Sequence, residues 1–120
     1  METVEFLILK NLLHNEEYVR KVIPFIKGDY FEDRNQKIVF EEIINFVQEY
    51  NKPVTKEVLC IEAEKRQDIT DDSFKEITQL ISSLEDQPSE FEWLVNTTEK
   101  WCRDRAIYLA LMESIQLADG

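Results

Sequence analysis

The chain has 120 residues, 43% hydrophobic and 32% charged, with a net charge of -11. That length gives one domain with a real core and no space for large catalytic inserts. The acidic balance argues against this chain alone gripping a nucleic-acid backbone, since phosphates are held by clustered Lys and Arg. Two cysteines make neither a disulfide framework nor a metal cluster. No signal-peptide pattern is present, and the apolar runs VEFLIL and AIYLALM are too short to span a bilayer, so the sequence reads as soluble and cytoplasmic, with no membrane partner.

Two Gly, three Pro and many helix formers predict an all-α domain of helices joined by short loops. Val4 to Leu13, apolar at Val4, Leu7, Ile8 and Leu12, has amphipathic helical spacing, and His14-Asn15-Glu16 marks a helix-helix junction. Glu17 to Ile23 restarts the pattern with Val19, Val22 and Ile23. Pro24 ends it, because the residue before a proline is pushed out of the helical region. Lys27-Gly28-Asp29 is a turn signal. Asp33 with Gln36 resembles a capping box that opens a long helix to near Tyr50, striped by Phe40, Ile43, Ile44 and Val47. After a break at Asn51-Lys52-Pro53-Val54, Thr55 is a plausible N-cap for a helix through Lys65 with Val58, Leu59 and Ile61 facing inward. Thr70 or Asp71 caps the next helix, whose inner face is Phe74, Ile77, Ile81 and Leu84. No strand alternation or internal repeat interrupts the reading, which divides the chain into a globular subdomain of about five short helices, residues 1–87, and one long projecting helix, residues 88–120.

That last stretch reads SEFEWLVNTTEKWCRDRAIYLALMESIQLADG. Pro88 precedes it, Ser89 and Glu92 have capping-box spacing, and nothing breaks the helix before Gly120. At ~1.5 Å per residue it would be roughly 45 Å long, more than a small core needs, so part of it should project. One stripe, Phe91, Leu94, Val95, Thr98, Cys102, Leu109 and Met112, has the spacing of a single buried face. A second contains Trp93, Tyr108, Leu111 and Ile115, and from Ala106 to Met112 the helix has almost no polar side. A helix apolar all round is normally buried on more than one side, so this end calls for a partner. Trp101 is read two ways, as an interface aromatic or as part of the chain's own core. Arg103 and Arg105 are the basic residues suited to matching carboxylates at an interface, set against loose pairing with Glu99 along the same helix. The candidate interface is therefore Trp93, Trp101, Arg105, Tyr108, Leu111, Met112 and Ile115.

Familiar catalytic sites fail on residue supply. Gly28 and Gly120 stand alone, so no Gly-rich loop can cradle a phosphate. His14 sits in a polar junction, and Cys60 and Cys102 lie beside apolar residues as small hydrophobes. The pairs Glu16-Glu17, Glu41-Glu42 and Asp71-Asp72 are sequence neighbours that point in different directions on a helix, which reads as solvated faces rather than an acid/base dyad. No catalytic, cofactor-binding or metal-binding residue is expected.

Taken together, EFLILKNLLHNEEYVRKVIPFI, GDYFEDRNQKIVFEEIINFVQEYNKPVT and SEFEWLVNTTEKWCRDRAIYLALMESI resemble the N-terminal domain of the DnaB-type hexameric replicative helicases, most closely the form carried by T4-like phages. The features that carry the resemblance are Leu12-Leu13 closing the first helix, Tyr30-Phe31 in a turn, Val39-Phe40 in the long helix, Pro53-Val54 before the next, and Arg105-Ala106-Ile107 in the last. The resemblance implies a collar domain above an ATPase ring, with helical hairpins pairing neighbouring subunits into a trimer of dimers and an outer surface that contacts primase. It also implies that ATP, Mg²⁺ and DNA are handled by a RecA-like motor domain with Walker motifs. That domain, the linker helix and the hairpin's second arm are absent from these residues, so the chain is expected to be a fragment or isolated domain of an ATP-dependent 5'-3' DNA helicase, acting in the infected host cell if phage-borne. A different class of reading is a stand-alone acidic helical adaptor or inhibitor that binds another replication or transcription factor, motivated by the charge of -11.

Overall fold

Six consecutive residues of α1 (Val4–His14), Ile8 to Leu13, are buried, so this helix is enclosed on nearly every side. The computed structural model describes residues 3–119. Around α1 pack α2 (Glu16–Val22), α3 (Arg34–Tyr50) and α6 (Phe91–Asp119), while α4 (Lys56–Glu64) and α5 (Asp71–Ser83) cover the other side of α3. A 3₁₀ turn, Gly28–Tyr30, joins α2 to α3 and touches both α3 and α6. The described residues contain helices and no strand, as the composition predicts.

Side-chain caps set most of the helix starts. Thr3, Asp33, Thr55 and Thr70 each accept a hydrogen bond from the backbone N–H three residues on, satisfying a donor that has no partner inside the helix. At the α1–α2 junction Asn15 does two jobs. Its own N–H closes α1 on Asn11 O at 2.8 Å, and its side chain opens α2 by accepting from Tyr18 N at 3.0 Å. His14 stands beside it, exposed, with Nε2 2.6 Å from Leu84 O at the end of α5. Asn51 closes α3 at φ 53°, a left-handed conformation that Asn tolerates because its short polar side chain bonds locally.

The predicted stripes of α3 and α5 are the buried or half-buried faces, with Ile43, Ile77, Ile81 and Leu84 wholly enclosed. On α4 the expectation fails for Ile61, which is exposed. The buried pair is Leu59 and Ala63, and at ~100° per residue Ile61 lies about 200° from Leu59, on the opposite side. Glu41 and Glu42 are not merely solvated either. Arg66, between α4 and α5, reaches Glu42 at 2.8 Å and Glu41 at 3.3 Å while forking onto Asp68 at 2.8 and 2.9 Å. This clamp ties the α4–α5 connection to α3, and the Arg66 guanidinium holds the Asp68 carboxyl below its usual range.

Candidate interaction surface

α6 is a single helix of 29 residues, about 44 Å long at ~1.5 Å per residue, in a molecule whose longest dimension is 45 Å. Its start differs from the Ser89–Glu92 box. The Glu90 carboxylate accepts from Trp93 N at 2.6 Å, and Leu94 N bonds Glu90 O. Ser89 is drawn elsewhere, with Oγ accepting from the buried Asn11 amide at 3.3 Å, while Asn11 also donates to Leu7 O at 2.9 Å. Lys10, also buried, donates to Gln87 Oε1 at 3.3 Å and lies 5.8 Å from the Phe6 ring centre. Two polar residues of α1 thus pin the Gln87–Pro88–Ser89 connection from inside the fold.

The first half of α6 is core. Leu94, Val95, Thr98 and Cys102 are buried against the body, with Phe91 half-buried beside them. Thr98 Oγ donates to Leu94 O at 2.7 Å, so its single proton is already used and the Tyr18 hydroxyl, 2.7 Å away, donates to it. Burial raises the Tyr18 phenol well above its ordinary range, more than the Thr98 hydrogen bond lowers it, so the proton stays in place. Burial, with a smaller contribution from the Glu99 charge, pushes the Cys102 thiol up to about 12.

Midway along, Trp101 and Arg105 turn toward the chain's own body. Trp101 Nε1 donates to Glu5 at 2.9 Å, and its ring packs against Phe31 at 5.0 Å and edge-on to Tyr30 at 6.1 Å. Arg105 Nε donates to Tyr30 O at 2.7 Å, with Nη1 3.4 Å from Glu32, rather than pairing with Glu99. Its guanidinium carbon lies 5.0 Å from the Tyr108 ring centre. Arg103 is exposed.

Past Arg105 the helix changes character. Leu109 is half-buried, but Ile107, Tyr108, Leu111, Met112, Ile115 and Leu117 are exposed, from 39% at Met112 to 76% at Leu117. Met112 therefore leaves the inner stripe, because the body no longer flanks the helix at that point. Trp93 is likewise 51% exposed, on the outer face of the packed half. The packing thus puts the change of character inside α6, well past Pro88. Of the seven candidates, five share exposure and two are turned inward. The C-terminal end expected at Gly120 lies outside the described residues. Away from α6, a cleft of about 420 Å³ is walled by Leu12, Leu13, Val19, Ile23, Val47 and Pro53. Among the described residues, no group of three or more His, Cys, Asp or Glu is placed to hold a metal.

Comparison with known proteins decides the family of the chain. The family model described as the DnaB-like helicase N terminal domain matches residues 1–93. The chain belongs to that family. The matched part of this DnaB-like domain takes in α1 to α5 and the start of α6, and ends just before the packed half of α6 enters the core. A DnaB-like replicative helicase of Enterobacteria phage T4 is 32% identical over 111 residues, an alignment that covers 92% of this chain and 23% of the phage protein. The DnaB-like domain here therefore spans less than a quarter of that relative's length. None of its described helices is long and apolar enough to cross a membrane.

Proposed function

We propose that this chain is the N-terminal collar domain of a replicative DNA helicase and that it self-associates through the free half of α6. The observation that carries the reading is the continuous exposed set Tyr108, Leu111, Met112 and Ile115 on a helix that the body has stopped covering. Soluble monomers rarely leave such an apolar patch in water, and full burial of one large apolar side chain is worth about 1.5–3 kcal/mol. Tyr108, Leu111 and Ile115 follow one another at the alternating three- and four-residue spacing of a helix-pairing seam. A second copy presenting the same stripe about a two-fold axis would satisfy both at once. Three such pairs around a ring would give the six-subunit collar expected of this family. The outer surface of the body is then available to primase, while ATP, Mg²⁺ and DNA are left to a motor domain carrying the phosphate-binding loop that this sequence lacks. Such a protein works beside the genome, in the cytoplasm, which is that of the infected host cell if the protein is phage-borne.

Size exclusion coupled to light scattering tests the pairing. The wild-type chain should run as a dimer at micromolar concentration, and the Tyr108→Glu/Leu111→Glu variant should run as a monomer with unchanged helical circular dichroism. A wild type that stays monomeric at all accessible concentrations removes self-association from the proposal. Calorimetric titration with the cognate primase tests the other contact, which is lost from the proposal if no heat of binding is found.

A further inference from the structure

Arg105 marks the place where α6 stops bonding to the body. Beyond it, among the described residues, no side chain of α6 hydrogen-bonds or ion-pairs with another element. Its side chain is only 15% exposed, too enclosed to serve as a free charge for a partner's carboxylate. One N–H of its fork is spent on Tyr30 O at 2.7 Å, in a turn that Trp101, one helical turn earlier, also packs against. The carbon of the same guanidinium lies over the Tyr108 ring, 5.0 Å from its centre. Tyr108 is 46% exposed and is the first member of the seam. An exposed tyrosine on a bare helix face samples several rotamers, and freezing them on association costs free energy. A cation over its ring, itself anchored to backbone, removes that freedom in advance.

We propose that Arg105 is the positioning residue of this surface, holding the Tyr108 ring in its binding orientation from the Tyr30 carbonyl without itself touching the partner. The inference rests on the self-association reading. The residue type fits the task, because a guanidinium is one rigid planar group that carries both the fixed donor to the carbonyl and the charge over the ring, whereas a lysine ammonium is a compact charge on a flexible stem with no fixed donor direction.

The test is a double-mutant cycle on the 120-residue chain by sedimentation equilibrium, with urea unfolding run alongside. Arg105→Met should weaken association roughly three- to tenfold, the scale of one newly mobile interface side chain. Arg105→Lys should fall between it and wild type. Added to Tyr108→Ala, Arg105→Met should cause little further loss. Added to Ile115→Ala, about 15 Å along the helix, its effect should be additive. A merely structural arginine would lower the unfolding midpoint and leave the cycle additive at both positions, and that result overturns the inference. An associating wild type with an Arg105→Met variant of equal affinity also overturns it, leaving the self-association reading intact. A wild type that does not associate overturns both. If Arg105→Met loses helical content, Arg105→Lys replaces it in the same cycle, where non-additivity with Tyr108→Ala supports the inference and additivity at both positions overturns it.

Discussion

Residues 91–105 and residues 106–119 lie on one unbroken helix, yet their relations to the rest of the molecule are opposite. The first half carries Glu90, Glu92, Glu99, Lys100, Arg103 and Asp104 in or beside it and still supplies core residues such as Leu94 and Thr98. The second half, with the run AIYLALM, is the more apolar and is mostly exposed. Burial is thus not set by hydrophobicity along this helix but by what lies alongside it. α1, α2 and the 3₁₀ turn flank the first half and run out near Arg105.

The largest expected break in this contrast is Leu94→Ala against Leu111→Ala. Leu94 is enclosed, so its truncation should cost about 2–5 kcal/mol of unfolding free energy. Leu111, in solvent, should change monomer stability by less than about 0.5 kcal/mol. Equal losses in urea titrations of a monomeric variant background would mean that the two halves are packed alike. Next comes Trp101→Phe, which keeps the aromatic contacts with Tyr30 and Phe31 but removes the donor to Glu5, at a cost of about 1–2 kcal/mol. Tyr18→Phe should cost about 1 kcal/mol, since the Thr98 hydroxyl keeps its bond to Leu94 O and loses only the donor above it. Thermal unfolding of each variant reads both values, and no change in either would mean that those bonds add nothing to the packed half.

The last effect is alkaline. In the unfolded chain the Cys102 thiol ionises near ~8.5, whereas in the fold burial pushes it up to about 12. Below the unfolded value both states keep the proton and the fold is not penalised. As pH rises through that value toward 12, only the unfolded state releases it, so stability falls. Tyr18 acts in the same direction at higher pH. The urea midpoint should therefore drop between about pH 8 and about pH 11, less steeply for Cys102→Ala, and iodoacetamide should label Cys60 before Cys102. A Cys102 that reacts as fast as Cys60 would place the packed half of α6 away from the body.

Much of this architecture is legible in the residues. Asp33, Thr55 and Thr70 cap where their spacing says, because an N-cap is a local bond between residues three apart. The inner stripe of α6 holds through Cys102 because helical periodicity is also local. What spacing does not anticipate was set by distant neighbours. Lys10 and Asn11 lie outside the apolar spacing of α1 and are buried because the Gln87–Ser89 segment crosses over them. Ser89 then caps nothing in α6, since Asn11 claims its hydroxyl and Glu90 takes the cap. Glu41 and Glu42 are drawn together by Arg66, 25 and 24 residues away. No periodicity rule reaches that far along the chain.

For the candidate surface, the sequence alone determined that α6 has more apolar faces than one small core can cover, since the surplus follows from helical periodicity and side-chain type. It could not determine which candidates face out. Trp101 and Arg105 turn inward because the Tyr30–Phe31 turn offers a ring edge and a carbonyl at their height along the helix. Met112 turns outward because no element reaches that far. Those choices depend on where non-adjacent segments end in space, and only the tertiary structure fixes that.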